Sequence, residues 1–268
     1  MAKASVVFFL GLIFHPASAS SNVDFEIGYK QEIFLLQTSW QTSRTREEPN
    51  ISATGGHHLE LPEGTTAVKL NIGPSNNPPF YCNAHSSVAC LYIDIQHDVI
   101  ENLRSLFHGN KNAIPLWLGI SDYVGIASFR VMGGNVSGKM SSSLSDPSTE
   151  RAWNVKDQGK DFTPVTTLAV ILDSIPPEVE IEEVLTDMQG HDFVAALSAG
   201  ERIRRIRKYT AEVEAGSQAA YKGPDNFKRS NWLPHMRKMG FSLRHCEQAY
   251  KDSDETFEEN CVFVNDAA

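Results

Sequence analysis

The chain has 268 residues, of which 41% are hydrophobic and 21% are charged, enough for one sizeable core. Its formal net charge is -9, and no run of Lys and Arg could neutralise a phosphate backbone, which excludes a general nucleic-acid binder. One basic cluster, Arg202 to Lys208, alternates with Ile203 and Ile206 and is typical of a solvated helix face.

The amino-terminal segment predicts a signal peptide over residues 1–19. Lys3 precedes the apolar run Val6–Phe14, and Ala17-Ser18-Ala19 follows as a small-residue cleavage site. The run is shorter than the ~20 apolar residues that a membrane span needs, and no later segment reaches that length. We therefore expect no membrane span and a mature chain in the secretory pathway lumen or outside the cell.

Cysteines and glycosylation sequons agree with an oxidising compartment. Cys82, Cys90, Cys246 and Cys261 allow three pairings, and local order favours Cys82–Cys90 with Cys246–Cys261. Metal binding is the alternative, but there is no C-x-x-C spacing and no histidine pair at ligand spacing beside them, so no metal is expected. Asn50 and Asn135 each begin an N-x-S triplet and are candidate glycosylation sites.

Hydrophobic patterns divide the mature chain into a leader, residues 20–63, which packs on the domain or is partly disordered, and one domain, residues 64–268. Within the domain, strands are predicted from apolar runs and helices from 3.6-residue periods. The expected elements are strands at 66–72, 89–94, 114–120, 126–131, 181–185 and 208–213, helices beginning near 98, 191 and 232, a loop over 133–160, and a closing hairpin of 241–245 with 261–264. Strands alternating with helices predict an α/β fold with a mainly parallel sheet covered on both faces.

The ends of the first two strands predict a nucleoside site. In such sheets ligands bind beyond the carboxyl ends of the strands. The first strand ends in Asn71-Ile72-Gly73-Pro74-Ser75-Asn76, and Asp94 follows Gly73 by 94 − 73 = 21 residues, as suits a carboxylate that binds ribose hydroxyls. The fingerprint G-x-G-x-x-G is absent, which disfavours nicotinamide and flavin cofactors. Alternatively, Asp94 caps the following helix.

The later strands carry two more acids. Asp187 ends one strand and is either functional or a solvated loop residue, and His191 is either catalytic or a surface residue. Glu212 lies inside an apolar strand, where an acid is costly unless it is paired or functional.

Several of these segments together resemble the FkbM-type methyltransferase family. The similar segments, which span roughly Thr65 to Val264, are Leu70-Asn71-Ile72-Gly73, Tyr92-Ile93-Asp94, Leu185 to Gly190, Ala211-Glu212-Val213, Tyr221-Lys222-Gly223 and Met239-Gly240-Phe241. The resemblance implies a Rossmann-like class I methyltransferase sheet of seven strands with a reversed C-terminal hairpin. It also implies S-adenosylmethionine as cofactor, bound near Asn71, Gly73, Asn76 and Asp94, with Asp187 and Glu212 near the transferred methyl.

The expected activity is O-methylation of a hydroxyl-bearing small molecule or glycan. Asp187 or His191 would act as the general base, and Glu212 would orient the acceptor. The alternative is a secreted protein that keeps the fold as a binding or structural module. Two departures from the family pattern favour it: Asn71 stands where the family usually has an acid, and Pro78-Pro79 replaces the start of a regular helix.

Overall fold

Strands and helices alternate along the chain in the computed structural model, which describes residues 59–76, 78–133, 142–147, 156–222, 226–251 and 257–267. The strands in these ranges are β1 (Ala67–Ile72), β2 (Val88–Asp94), β3 (Ala113–Trp117), β4 (Gly119–Ile120), β5 (Gly125–Gly133), β6 (Asp146–Pro147), β7 (Lys156–Thr166), β8 (Glu180–Thr186), β9 (Ile206–Glu214), β10 (Tyr221–Lys222), β11 (Phe241–Lys251) and β12 (Phe257–Asn265). The helices are α1 (His97–Leu106), α2 (Leu168–Ser174), α3 (Asp192–Ser198), a 3₁₀ helix (Gly200–Arg205), a π-helical turn (Lys228–Trp232) and α4 (Leu233–Lys238).

Seven strands form the central sheet in the order β3-β2-β1-β8-β9-β12-β11. The first five are mutually parallel, whereas β12 pairs antiparallel with both β9 and β11. The chain turns from β1 to β2 on one side, while β8 lies on the other side of β1, so a topological switch point falls at the carboxyl end of β1. The predicted Rossmann-like sheet, mainly parallel with a C-terminal antiparallel pair, is confirmed.

Burial on both faces explains the apolar character of the central strands. Val68, Leu70 and Ile72 of β1 are at most 2% exposed and belong to the main hydrophobic core. On the opposite face of the sheet, Tyr92 joins a smaller cluster with residues of α1. Residues before β1 also contribute, because Leu59 packs against the main core and donates its backbone N–H to Ser174 O.

A small second sheet, β4-β7-β5, includes one strand, β7, that begins in the region that the sequence predicted to be a loop. The expected strand 114–120 is split between β3 and β4, and β7 begins at Lys156, inside the expected loop 133–160. The sequence of β7 is mostly polar and has no apolar run. The backbone of β7 pairs antiparallel with β5, with Val165 opposite Gly125 and Thr163 opposite Ala127. This strand therefore depends on long-range pairing, which the local sequence pattern does not indicate.

One of the two expected disulfides is present. Cys246 and Cys261 are bonded across β11 and β12, and closing a loop with a sequence separation of 15 contributes about 3 kcal/mol. The expected Cys82–Cys90 bond is wrong, because both residues are buried free cysteines. The Cys82 thiol lies 3.2 Å from the backbone oxygen of Asn112, to which it donates a hydrogen bond. The Cys90 thiol in turn donates a hydrogen bond to Cys82, so the two sulfurs lie side by side as thiols.

Several predictions lie outside the described residues: the signal peptide, the leader up to residue 58, and the sequons at Asn50 and Asn135. Within the part of the chain that the structure describes, no helix combines the length and apolar character required to cross a bilayer.

Candidate active site

The turn that follows β8 docks against the end of β1. The backbone N–H of Asp187 donates to Ile72 O at 2.9 Å, and Gly73 has a φ of +80°. A Cβ on Gly73 would lie 1.9 Å from the Asp187 carbonyl oxygen, so only glycine permits this contact. The need for glycine at position 73 therefore comes from the backbone of the neighbouring strand end.

Left-handed backbone at two successive residues shapes the same turn. Gln189 has a φ of +54° and Gly190 a φ of +86°. A Cβ on Gly190 would lie 2.5 Å from the ring of Tyr221, so glycine lets that ring pack on the turn. A left-handed conformation is uncommon at a residue other than glycine and persists only where the surroundings impose it. At Gln189 the surroundings are a hydrogen-bond network.

The Gln189 side chain bridges two carboxyl groups. Its Nε2 donates to Asp187 Oδ1 at 2.7 Å and to Glu212 Oε2 at 3.1 Å, and its Oε1 accepts a hydrogen bond from the Tyr221 hydroxyl at 2.6 Å. Asp187 and Glu212 are also hydrogen-bonded to each other. The predicted pair of acids is thus brought together, and Gln189 and Tyr221 complete the network.

Burial determines the protonation of this pair. Burial raises the pKa of Glu212 well above its usual range, and the negative charge of Asp187 raises it further. Burial also raises the pKa of Asp187, while the hydrogen bonds from Gln189 and Glu212 oppose that increase. One proton shared between two adjacent carboxyl groups is the usual result. Glu212 holds it and donates to Asp187, which carries the single negative charge.

A pocket opens at the carboxyl ends of β1, β2 and β8. Its lining residues are Ile72, Gly73, Ser75, Ile93, Asp94, Ile95, Gln96, Leu118, Gly119, Ile120, Ser142, Leu144, Asp187, Met188 and Gln189. The pocket is narrow, with a volume of about 40 Å³, and it opens to solvent. A small-molecule ligand, which usually occupies ~300–1,000 Å³, would therefore extend into the mouth.

Asp94 lies in this pocket and is 6% exposed. Its Oδ1 accepts the backbone N–H of Gln96 at 2.8 Å. Burial raises the pKa of Asp94 to about 7, although backbone hydrogen bonds from Gln96 and Ser75 lower it. The helix-cap alternative is wrong, because α1 begins at His97 and the residue in the N-cap position is Gln96.

The other two predicted cofactor residues do not line the pocket. Asn71 is fully buried, and neither polar atom of its amide has a hydrogen-bond partner among the described residues. Asn76 is exposed, and its Oδ1 accepts a hydrogen bond from Asn102 of α1 at 3.0 Å. Gly73 and Asp94 are therefore the predicted residues that the structure places at the pocket.

His191 faces a different cleft. Its Nε2 lies 3.4 Å from Ser121 Oγ and its Nδ1 lies 3.1 Å from Ser145 Oγ. Burial lowers the pKa of His191 to about 4, with Asp122 opposing the shift, so the ring is neutral at pH 7. Asp187 and His191 lie on the same turn but line separate cavities.

Gln96 and Ser142 are pocket residues that the sequence did not indicate. Ser142 Oγ donates to Gln96 Oε1 at 3.2 Å and accepts the backbone N–H of Met132 at 3.2 Å. The next residue, Ser143, donates to the backbone oxygens of Met188 and Gln189 at 3.2 and 2.7 Å. This serine-rich segment therefore closes one side of the pocket. Its abundance of serine was the only sequence signal.

No protein-family model matches the chain, and comparison with curated protein sequences finds no match either. Among solved structures, it is similar to magnesium protoporphyrin IX methyltransferase from Synechocystis PCC 6803 with bound SAM (8% identity, TM-score 0.38, covering 92% of this chain and 86% of that chain). It is also similar to the 1,6-didemethyltoxoflavin-N1-methyltransferase of Burkholderia thailandensis, with 10% identity and a TM-score of 0.39, covering 94% of this chain and 93% of that chain. A third similar structure is Aeropyrum pernix fibrillarin, with 9% identity and a TM-score of 0.38, covering 77% of this chain and 70% of that chain. Similarities of this size concern the fold alone.

The buried acids predict that stability falls as the pH rises. A carboxyl group whose pKa is raised in the folded protein keeps its proton at a pH where the unfolded chain has released it. Its contribution to stability is therefore fully present below the unfolded pKa of about 4, and it is lost as the pH rises to the folded pKa. Asp192 is fully buried, accepts the Met188 N–H with both oxygens and has a pKa of about 8, raised by burial and by Asp187. We expect the free energy of unfolding to fall from about pH 5 to about pH 8.

Asp192→Asn tests the origin of that slope, because its amide oxygen can still accept the Met188 N–H. Removing one titrating carboxyl should flatten the pH dependence by up to about 1.4 kcal/mol per pH unit. The matched control is Glu201→Gln, since the Glu201 side chain is 72% exposed. Urea unfolding followed by circular dichroism measures all three chains. Equal slopes for the parent and Asp192→Asn would contradict the assignment.

Proposed function

We propose that this chain is an S-adenosylmethionine-dependent methyltransferase of the FkbM type that methylates a hydroxyl group. The observation that supports this most directly is the pocket at the carboxyl ends of β1, β2 and β8. Asp94 and Asp187 both line it, in a seven-stranded sheet with the C-terminal antiparallel hairpin that the resemblance implied. A ligand pocket at the switch point is the expected position in an open α/β sheet.

The pocket residues fit the adenosine part of the cofactor. Asp94 offers a carboxylate for ribose hydroxyls, Ile95, Leu118 and Ile120 offer apolar surface for an adenine ring, and Gln96 offers an amide. These residues would hold the cofactor, which when bound supplies an electrophilic sulfonium methyl group. The chain's own contribution is then to align the acceptor and to accept its proton.

Asp187 is the residue best suited to accept that proton. It lines the pocket, it carries the negative charge of the pair, and its raised pKa brings it closer to neutral pH, where a general base is most effective. His191 is a poor candidate because its pKa is about 4 and because it faces the other cleft. Glu212 is buried behind Gln189 and acts on Asp187, so we assign it a positioning role rather than contact with the acceptor.

A non-catalytic module remains the second candidate, favoured by one specific feature. Residues 73–76 and 78–87, which connect β1 to β2, contain no helix. A helix N-terminus beside the pocket would offer backbone N–H groups to a ligand carboxylate. The narrow interior of the pocket agrees with a site that has lost its ligand.

Calorimetric titration of the purified mature chain with S-adenosylmethionine separates the two candidates. If Asp94 holds the ribose, Asp94→Ala should weaken binding by about 2 kcal/mol, about 30-fold, as for a charged hydrogen-bond partner. Glu101→Ala, at an exposed position of α1, is the control for removing a nearby negative charge. Binding that is unaffected by Asp94→Ala would remove the ribose assignment. No binding at millimolar cofactor would favour the non-catalytic module.

Turnover of a hydroxyl acceptor tests Asp187. Asp187→Asn keeps the shape of the side chain but cannot accept the proton, so the rate should fall about 10²–10⁴-fold while cofactor affinity stays nearly unchanged. Glu212→Gln should instead shift the pH–rate profile, because it replaces the acid that shares a proton with Asp187. A fully active Asp187→Asn enzyme would overturn the role.

We also propose that the protein works in the secretory pathway, and the Cys246–Cys261 bond supports an oxidising compartment. Protein from its native cells should begin near Ser20 and carry glycans on Asn50 and Asn135. Non-reducing peptide mapping should show Cys246 linked to Cys261, with Cys82 and Cys90 as thiols. An intact Met1 with unmodified sequons would contradict the proposal.

A further inference from the structure

A second cleft lies beside the proposed active site, and we call it the basic cleft. Its walls include Arg130, Ser145, Asp146, Lys160, His191 and Lys222, around a volume of about 370 Å³. That volume is within the ~300–1,000 Å³ range typical of small-molecule sites. The lining belongs to β5, β6, β7 and β10 and to the turn after β8, so several elements that are distant in sequence build it.

Cationic side chains outnumber acidic ones in this cleft, although the chain as a whole is acidic. Arg130 pairs with Asp146 at 2.9 Å and lowers the pKa of that carboxyl, and the charges of Lys160 and Lys222 lower it further. Among the described residues neither lysine makes a direct ion pair. Three cationic side chains thus face one carboxylate in a protein whose net charge is -9. Two ammonium groups remain available to an incoming anion.

Uncharged hydrogen-bonding groups complete the lining. His191 is neutral, since burial lowers its pKa to about 4, and its Nδ1 lies 3.1 Å from Ser145 Oγ. Imidazole and hydroxyl groups of this kind bind sugar or alcohol hydroxyls without requiring a charge on them. The cleft therefore combines anion recognition with hydroxyl recognition.

The basic cleft adjoins the pocket through shared elements. Leu144 lines both cavities, and one turn contributes Asp187 and Gln189 to the pocket and His191 to the cleft. Leu144 and this turn thus form parts of the walls of both cavities, which places the cleft beside the pocket that Asp187 lines. An acceptor could present a hydroxyl to the proposed base while another part of it occupies the cleft.

We propose that the basic cleft is the acceptor site and that the acceptor is an acidic hydroxyl compound, a sugar bearing a carboxylate or a sulfate ester. This deepens the proposed function and rests on it for the identification of the cleft's ligand as an acceptor. Lys160 and Lys222 bind the anionic group as point charges, and His191 with Ser145 binds hydroxyl groups. The acidic group, rather than the methylated hydroxyl, selects the substrate.

Ligand-observed NMR titration with glucose, glucuronate and glucose 6-sulfate tests the inference without needing turnover. The parent protein should bind one or both acidic sugars at least about tenfold more tightly than glucose, as expected for two charge-assisted contacts. That preference should shrink as ionic strength rises, because the lysines are exposed. Preference for glucuronate identifies a carboxylate site, and preference for glucose 6-sulfate identifies a sulfate site.

Matched double variants locate the binding. Lys160→Gln with Lys222→Gln should reduce the preference for the acidic sugar about five- to tenfold, in keeping with partly exposed charge pairs. Lys111→Gln with Lys238→Gln removes the same charge from exposed positions outside the cleft and should leave the preference unchanged. A parent protein that binds all three sugars equally, or variants with equal effects, would overturn the inference.

Failure of the inference is distinguishable from failure of the proposed function. If acidic sugars bind in a way that depends on Lys160 and Lys222 and S-adenosylmethionine does not bind, the cleft is supported as an acidic-sugar site and the methyltransferase function is contradicted. If the cofactor binds but acidic sugars show no preference over glucose, the methyltransferase function is supported and the acidic acceptor is contradicted.

Discussion

A shared proton between Asp187 and Glu212, held in place by Gln189, is the interaction on which the candidate site depends. Two ionised carboxylates in contact inside a protein would repel strongly, so the pair is stable only with one negative charge. Gln189 donates to both acids with a single amide group, and Tyr221 fixes the orientation of that amide by donating to its oxygen. Each member therefore depends on the others for its geometry and its protonation state.

The same network explains the unusual backbone of the turn. Gln189 adopts a left-handed φ although it is not a glycine, and Gly190 follows in the same region, which exposes the turn to the Tyr221 ring. Strain of this kind costs on the order of 1–3 kcal/mol and persists where other contacts impose it. Here the hydrogen bonds to Asp187, Glu212 and Tyr221 impose it. Residues in such a turn are held rigidly, and a side chain that must keep a fixed position relative to a reacting atom requires such rigidity.

Sequence patterns predicted the central sheet well, because its strands are buried on both faces and read as apolar runs. The C-terminal hairpin and the Cys246–Cys261 bond followed from the same local signals. Three features escaped prediction for a common reason. Strand β7, the partners of Cys82 and the contact between Gln189 and Glu212 all depend on residues far apart in the chain, and a single sequence carries no record of such pairings. For His191, proximity in sequence to Asp187 was misleading, since the turn directs the two side chains into different cavities.

The connection from β1 to β2 has consequences for any cofactor. In place of a helix it is fixed by side chains: the Tyr92 hydroxyl accepts the backbone N–H of Cys82 at 3.1 Å and donates to Phe80 O at 3.2 Å. Asn112 adds hydrogen bonds to the backbone oxygens of Asn83 and Ser86. Residues 73–76 and 78–87 of this connection form no helix, so they offer no helix N-terminus to a ligand carboxylate. Asp94 and the apolar residues beside it would then supply most of the binding energy, and recognition would centre on the nucleoside rather than on the amino-acid part of the cofactor.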